Sequence, residues 1–237
     1  MDRRIFLSVL GAAGLAGTAD ADTLKSLIDK AVNKNSGLSS KDADGALRET
    51  LTDGTLSAVK QVSKPDGYWG DGVIRIPLPK TLASVQAIAR PLGMSGALDD
   101  VHLRMNRAAE AAAPLARDLF LDAIRGMTIK DAIGIVKGGP TSGTEYLQKT
   151  TTPRLTAAFT PPMADALDHT GAVQSLDAAV RRNRLQGVVK TDAKTYLSKY
   201  AVGLALNGLF HYVGVEETAI RRDPAKTGSN LLKHVFG

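Results

Sequence analysis

Apolar residues recur at helical spacing along almost the whole of this chain, and the spacing fails over one stretch, residues 65–79. Leu47, Leu51, Ala58 and Val62 follow one another at steps of four, seven and four, on one helical face. Leu98, Val101, Met105, Ala108, Ala109 and Ala112 make a second such face. Stripes of this kind bury themselves helix against helix, so the expected fold is all-α, a compact multi-helix array. The exception begins with Pro65-Asp66-Gly67-Tyr68-Trp69-Gly70-Asp71-Gly72, which is rich in turn formers. It continues as Val73-Ile74-Arg75-Ile76-Pro77-Leu78-Pro79, where prolines remove amide donors and bias their predecessors away from helix. About 65–79 therefore reads as an extended, Pro-rich strap.

Local signals place the helix boundaries. Leu24, Leu27, Ile28 and Val32 form a first stripe, and Ser39 with Asp42 resembles a capping box for a helix over about 40–63. Helix resumes over about 79–91 and again from Ser95, with Pro114 kinking that helix or starting the next, which reaches Gly126. Thr128 and Asp131 open a short apolar helix that Gly138-Gly139-Pro140 ends. A short turn of helix over Thr144–Lys149 is followed by a helix start at Thr152-Pro153 and a break at Pro161-Pro162. Helices over about 172–186, 191–213, 215–222 and 228–235 complete the expectation.

The first residues have the parts of an export signal: Arg3 and Arg4, an apolar stretch from Ile5 to about Ala16, and Ala19-Asp20-Ala21. Asp2-Arg3-Arg4-Ile5-Phe6-Leu7 resembles a twin-arginine signal, so residues 1–21 are expected to be cleaved after about Ala21. A single all-helical domain, 22–237, then remains in the periplasm. The apolar stretch of the signal is too short to span a bilayer, which takes about 20 residues, and no later segment is apolar enough to do so. The absence of cysteine excludes disulfides and thiolate metal sites.

The net charge of +6 survives cleavage, because two arginines and two aspartates leave together. On an exported protein this excess points to lipid headgroups or other envelope partners. Aromatics at 5% are too sparse for base-stacking platforms, so no nucleic acid is expected. His102, His169, His211 and His234 are scattered, which argues against a metal site, and nothing calls for a cofactor.

Asp99, His102, Asn106 and Glu110 recur at steps of three, four and four and read first as a solvated polar face. Buried, Arg107 and Glu110 would have to pair. Tyr68 and Trp69, beside glycines, form either a recognition tip or an anchor for the strap, and Trp69, the sole tryptophan, favours the anchor. The loop 138–144 lacks the Gly-Lys-Ser/Thr ending of a phosphate loop and reads as a helix linker. Basic clusters at 181–184 and 221–226 read as helix ends, with an anionic surface as the alternative.

Several runs together carry a resemblance. They are Ile74-Arg75-Ile76-Pro77-Leu78-Pro79, Met105-Asn106-Arg107-Ala108-Ala109-Glu110, Met127-Thr128-Ile129, Gly208-Leu209-Phe210, Glu216-Glu217 and the ending Leu231-Leu232-Lys233-His234-Val235-Phe236-Gly237. In this order the chain, over about 42–237, resembles the bacterial domain-of-unknown-function 4197 family. The resemblance implies an α-helical envelope protein and supplies no catalytic residues; it places Asn106, Arg107 and Glu110 on the family's motif and His102 where an apolar residue is expected. The function expected is a non-enzymatic periplasmic binding or interaction protein with an apolar or lipid-like ligand. Its groove would be bordered by Arg75, Asn106, Arg107 and Glu110. The alternatives are an enzyme using Glu110 with Asn106 and Arg107, and an envelope structural helper that binds anionic surfaces.

Overall fold

Helix α1, Ser40–Val62, buries Leu47, Leu51, Ala58 and Val62, the stripe read from the sequence. It is the first element of a computed structural model that describes residues 40–168, 173 and 193–224. The export signal, the stripe from Leu24 to Val32, the cap at Ser39, the cluster at 181–184 and the helix expected over 228–235 lie outside the described residues, as does nearly all of 172–186. Among the described residues there are α-helices and short 3-10 turns but no strand, so the fold is all-α. From Ala43 onward they belong to one compact unit.

The strap is shorter in its extended part than its composition suggests. Residues 63–74 are mostly turns and only 75–79 are extended. Ile74, Ile76 and Leu78 point into the core while Val73, Arg75 and Pro77 point out. Gly67 is required in the turn, because a Cβ there would lie 2.4 Å from the Val62 carbonyl oxygen.

Helix α2 (Lys80–Ala89) ends in a 3-10 turn, Arg90–Leu92, that Gly93 closes in the left-handed conformation. Helix α3 (Gly96–Ala112) passes through the 3-10 turn Ala113–Leu115, with Pro114 in its first turn, into α4 (Ala116–Arg125). Helix α5 (Ile129–Lys137) has the capping box read from Thr128 and Asp131. The Asp131 amide donates to Thr128 Oγ1 at 3.2 Å, and the Thr128 amide donates to Asp131 Oδ2 at 3.0 Å.

Two corrections concern the longest helices. Helix α6 (Ser142–Asp168) runs unbroken through Pro153, Pro161 and Pro162, where a fresh start and a break were expected. Leu147, Thr151, Leu155, Phe159, Met163 and Leu167 recur at steps of four as one buried ridge. Pro153 and Pro161 face solvent, and Pro162 is half-buried. An interior proline costs about 3 kcal/mol relative to alanine. Burial of each large side chain of the ridge returns about 1.5–3 kcal/mol, so packing overrides the local rule. The ridge lets α6 lie against α3, α4, α5 and α7 at once.

Helix α7 (Ala193–Arg222) is likewise continuous through residue 214, where two helices were expected. Gly214 is a packing position here. A Cβ there would lie 3.4 Å from Thr141 Cγ2 and 3.7 Å from Thr144 Oγ1, so its bare backbone admits the start of α6. No helix among the described residues is long and apolar enough to cross a membrane.

Candidate functional site

The residues singled out from the sequence do come together, and what they hold is the chain's own strap. Asn106 is fully buried and spends its amide on the strap backbone. Its Oδ1 accepts the Ile76 N–H at 2.8 Å, and its Nδ2 donates to the Ile76 carbonyl at 2.9 Å. One side chain thereby satisfies both polar groups of an extended residue that has no neighbouring strand.

One turn on, Glu110 is 5% exposed. Its Oε1 accepts the N–H groups of Tyr68 at 3.1 Å and Trp69 at 3.0 Å. Arg107 donates to its Oε2 at 2.8 Å and, with the other arm, to Asp66 Oδ1 at 2.7 Å. Neither Asn106 nor Glu110 sits on a solvated face; both are buried, and the polar stripe is a clamp on 66–76.

Tyr68, rather than Trp69, is the deep anchor. Its ring is fully buried and its hydroxyl donates to the Ala205 carbonyl at 2.6 Å. Gly208 makes room for it, since a Cβ there would lie 2.9 Å from Tyr68 Cε1. The strap is thus gripped between α3 and α7. Trp69 is half-buried: the Arg75 guanidinium lies 3.6 Å over its ring, and His102 meets it edge-on at 4.9 Å. The groove expected beside Arg75, Asn106, Arg107 and Glu110 is filled by the strap itself.

His102 Nε2 is buried without a hydrogen-bond partner. Burial holds the imidazole below its ordinary value, and the nearby Arg75 charge pushes the same way against Asp99. The folded state therefore refuses a proton that the unfolded chain accepts near pH 6.5. Stability is intact above about pH 7 and declines as the pH falls through the imidazole range. His102→Leu is expected to flatten this decline, seen as a smaller difference in urea midpoint between about pH 7.5 and pH 5. An unchanged pH dependence in the variant would assign the effect to another group.

A second buried carboxylate, Glu217, was noted in the sequence without a role. It is 1% exposed and caps the first turn of α6. The Gly143 N–H donates to its Oε1 at 3.0 Å, and the Thr144 N–H and hydroxyl both donate to Oε2 at 2.7 Å. Arg221, one turn on, donates to Oε1 at 3.0 Å from Nε and reaches the Ile135 carbonyl at 3.3 Å. The amides at the start of α6, which make the loop 138–144 look like an anion cradle, therefore hold the chain's own anion. Arg221 faces this carboxylate, so the basic cluster at 221–226 is not wholly a solvated helix end.

Open space lies along the α6–α7 seam. A cavity of about 660 Å³ is lined by Thr144, Glu145 and Gln148 from α6 and by Asn207, Phe210, His211, Gly214, Val215 and Arg222 from α7, among others. A second, of about 490 Å³, is lined by Thr156, Thr160 and Ala164 opposite Lys194, Ser198, Lys199, Val202 and Gly203. The buried Ser198 hydroxyl has no hydrogen-bond partner. None of Tyr68, Trp69, Arg75, Asn106, Arg107 and Glu110 lines either cavity. The seam was hidden in the sequence because the expected breaks at Pro153 and Pro161-Pro162 cut the α6 row Gln148, Thr152, Thr156, Thr160, Ala164 into pieces. No group of three or more acidic or histidine side chains among the described residues is placed to hold a metal ion.

Neither a curated protein nor a solved structure matches this chain. The model of one family, described as Protein of unknown function (DUF4197), matches residues 37–237. That span contains the α3 clamp, the strap it holds, the Glu217 cap and both seam cavities, and the chain belongs to the DUF4197 family.

Proposed function

We propose that this protein is an exported, non-enzymatic binding protein that holds an apolar, lipid-like molecule along the α6–α7 seam. The observation that carries this reading is the pair of open cavities on that seam, each within the roughly 300–1,000 Å³ of small-ligand sites. Apolar, methyl-bearing and small residues form much of their walls: Thr156, Thr160, Ala164, Val202 and Gly203 in one, Phe210, Gly214 and Val215 in the other. Lys199, Asn207 and His211 supply polar groups to orient a head. The engagement of Glu110 supports binding over catalysis, because both its oxygens serve the strap and Arg107. A general base needs an oxygen within reach of a substrate proton.

Export rests on Arg3-Arg4 and the apolar stretch that follows. The full chain, expressed with its own leader, is expected in the periplasmic fraction. Native mass spectrometry of protein purified from that fraction is expected to show a recurrent bound lipid-sized mass. Gly203→Trp, which fills the wall of the smaller cavity, is expected to diminish it. Cytoplasmic retention sinks the export reading, and repeated preparations free of any adduct sink the binding reading.

A further inference from the structure

Among the described residues, helix α2 and the turn after it leave an apolar face uncovered. Val85, Ile88 and Leu92 follow at steps of three and four on one side and are 50%, 73% and 69% exposed, and Met94 beside them is 74% exposed. The only large aliphatic that α2 buries is Leu82. The face ends in a tip: the 3-10 turn Arg90–Leu92, the left-handed Gly93, and the start of α3 at Gly96. Between Thr81 and Leu98 the only charged residue is Arg90. Its side chain is 70% exposed and only loosely paired, 3.5 Å from an Asp99 already held by Ser95 and Gln86. Lys80 is exposed where α2 begins. Isolated exposed aliphatic residues need no explanation, but four together around a single arginine do.

We propose that this α2–α3 tip docks on the surface of a lipid bilayer, with Ile88, Leu92 and Met94 entering the boundary between headgroups and acyl chains. Arg90 and Lys80 then meet the phosphates. Two features favour a bilayer over a second protein surface. Four aliphatic side chains, at roughly 100 Å² each, fall well short of the roughly 800 Å² per partner of a stable protein interface. The net charge of +6 and the cationic charge on the tip suit anionic headgroups. This surface is separate from the seam cavities, so the proposal stands or falls apart from the ligand reading.

The test is flotation of the full mature chain with vesicles of phosphatidylethanolamine and phosphatidylglycerol. Wild type is expected to float, and the double variant Leu92→Glu, Met94→Glu to partition at least about tenfold less. Because both side chains are exposed, the variant is expected to keep the wild-type melting temperature, which separates loss of docking from loss of fold. The chain has no cysteine, so Met94→Cys gives a single attachment point for an environment-sensitive fluorophore. Its emission is expected to shift to the blue with vesicles and to be quenched by spin-labelled lipid. Wild type that fails to float overturns the proposal, as does a double variant that floats equally well. Flotation abolished by about 1 M salt also overturns it, because insertion of apolar side chains survives screening. A wild type that self-associates in sedimentation equilibrium, and a double variant that is monomeric, would make the tip a contact between copies instead.

Discussion

Glu217→Ala is expected to lower folding stability by about 3–5 kcal/mol, the scale of a buried ion pair that loses one partner. The variant would take the carboxylate away from a largely buried Arg221 guanidinium and leave the amides of Gly143 and Thr144, at the start of α6, without their acceptor. The turn is tightly packed, since a Cβ at Gly143 would lie 2.4 Å from Leu51 Cδ2. Glu217→Gln is expected to fall between, since an amide oxygen still accepts one N–H but no longer carries the charge that Arg221 meets at 2.8 Å. Pairing Glu217→Leu with Arg221→Met relieves the charge and not the amides, so it is expected to recover only part of the loss. Urea unfolding of the series measures each step. A loss below about 1 kcal/mol for Glu217→Ala would mean that water replaces the carboxylate freely.

Glu110→Ala is expected to cost about 2–4 kcal/mol, from the abandoned N–H groups of Tyr68 and Trp69. Here the loss is local before it is global. With the turn released, cleavage by a nonspecific protease within 63–79 is expected to speed up under conditions where the helices persist, and Trp69 emission to shift to the red. Arg107 is 42% exposed and water can solvate it, so Glu110→Gln, which keeps an acceptor for the strap, is expected to restore most of the stability. Equal losses in the alanine and glutamine variants would place the energy in the ion pair with Arg107 instead.

The two carboxylates show what a linear reading reaches and what it misses. Periodicity found α1, α3 and the strap, because each is a statement about residues a few positions apart. The Thr128–Asp131 box was legible for the same reason. Glu110 was legible as a residue on the family's motif that, if buried, would have to pair with Arg107. Its partners are amides 41 and 42 residues away, which no pattern in side chains announces. The stripe looked solvated because its polarity was counted without the backbone that arrives to meet it. Glu217 had still less signal: its partners lie 73 and 74 residues upstream. The prolines of α6 misled in the opposite direction. A local rule with a cost of about 3 kcal/mol was set against a ridge whose burial is gained only once α3, α4 and α7 are in place.

That ridge also bears on the order in which the molecule assembles. A peptide of residues 142–168 carries three helix-breaking prolines and has no flanking surface to bury its ridge, so it has little reason to be helical in water. The element with the widest reach in the fold is thus one that cannot start it. Helicity in α6 has to be acquired on arrival, against surfaces offered by sequences on both sides of it in the chain. Folding then depends on contacts between distant segments, a route that favours all-or-none behaviour over stable fragments.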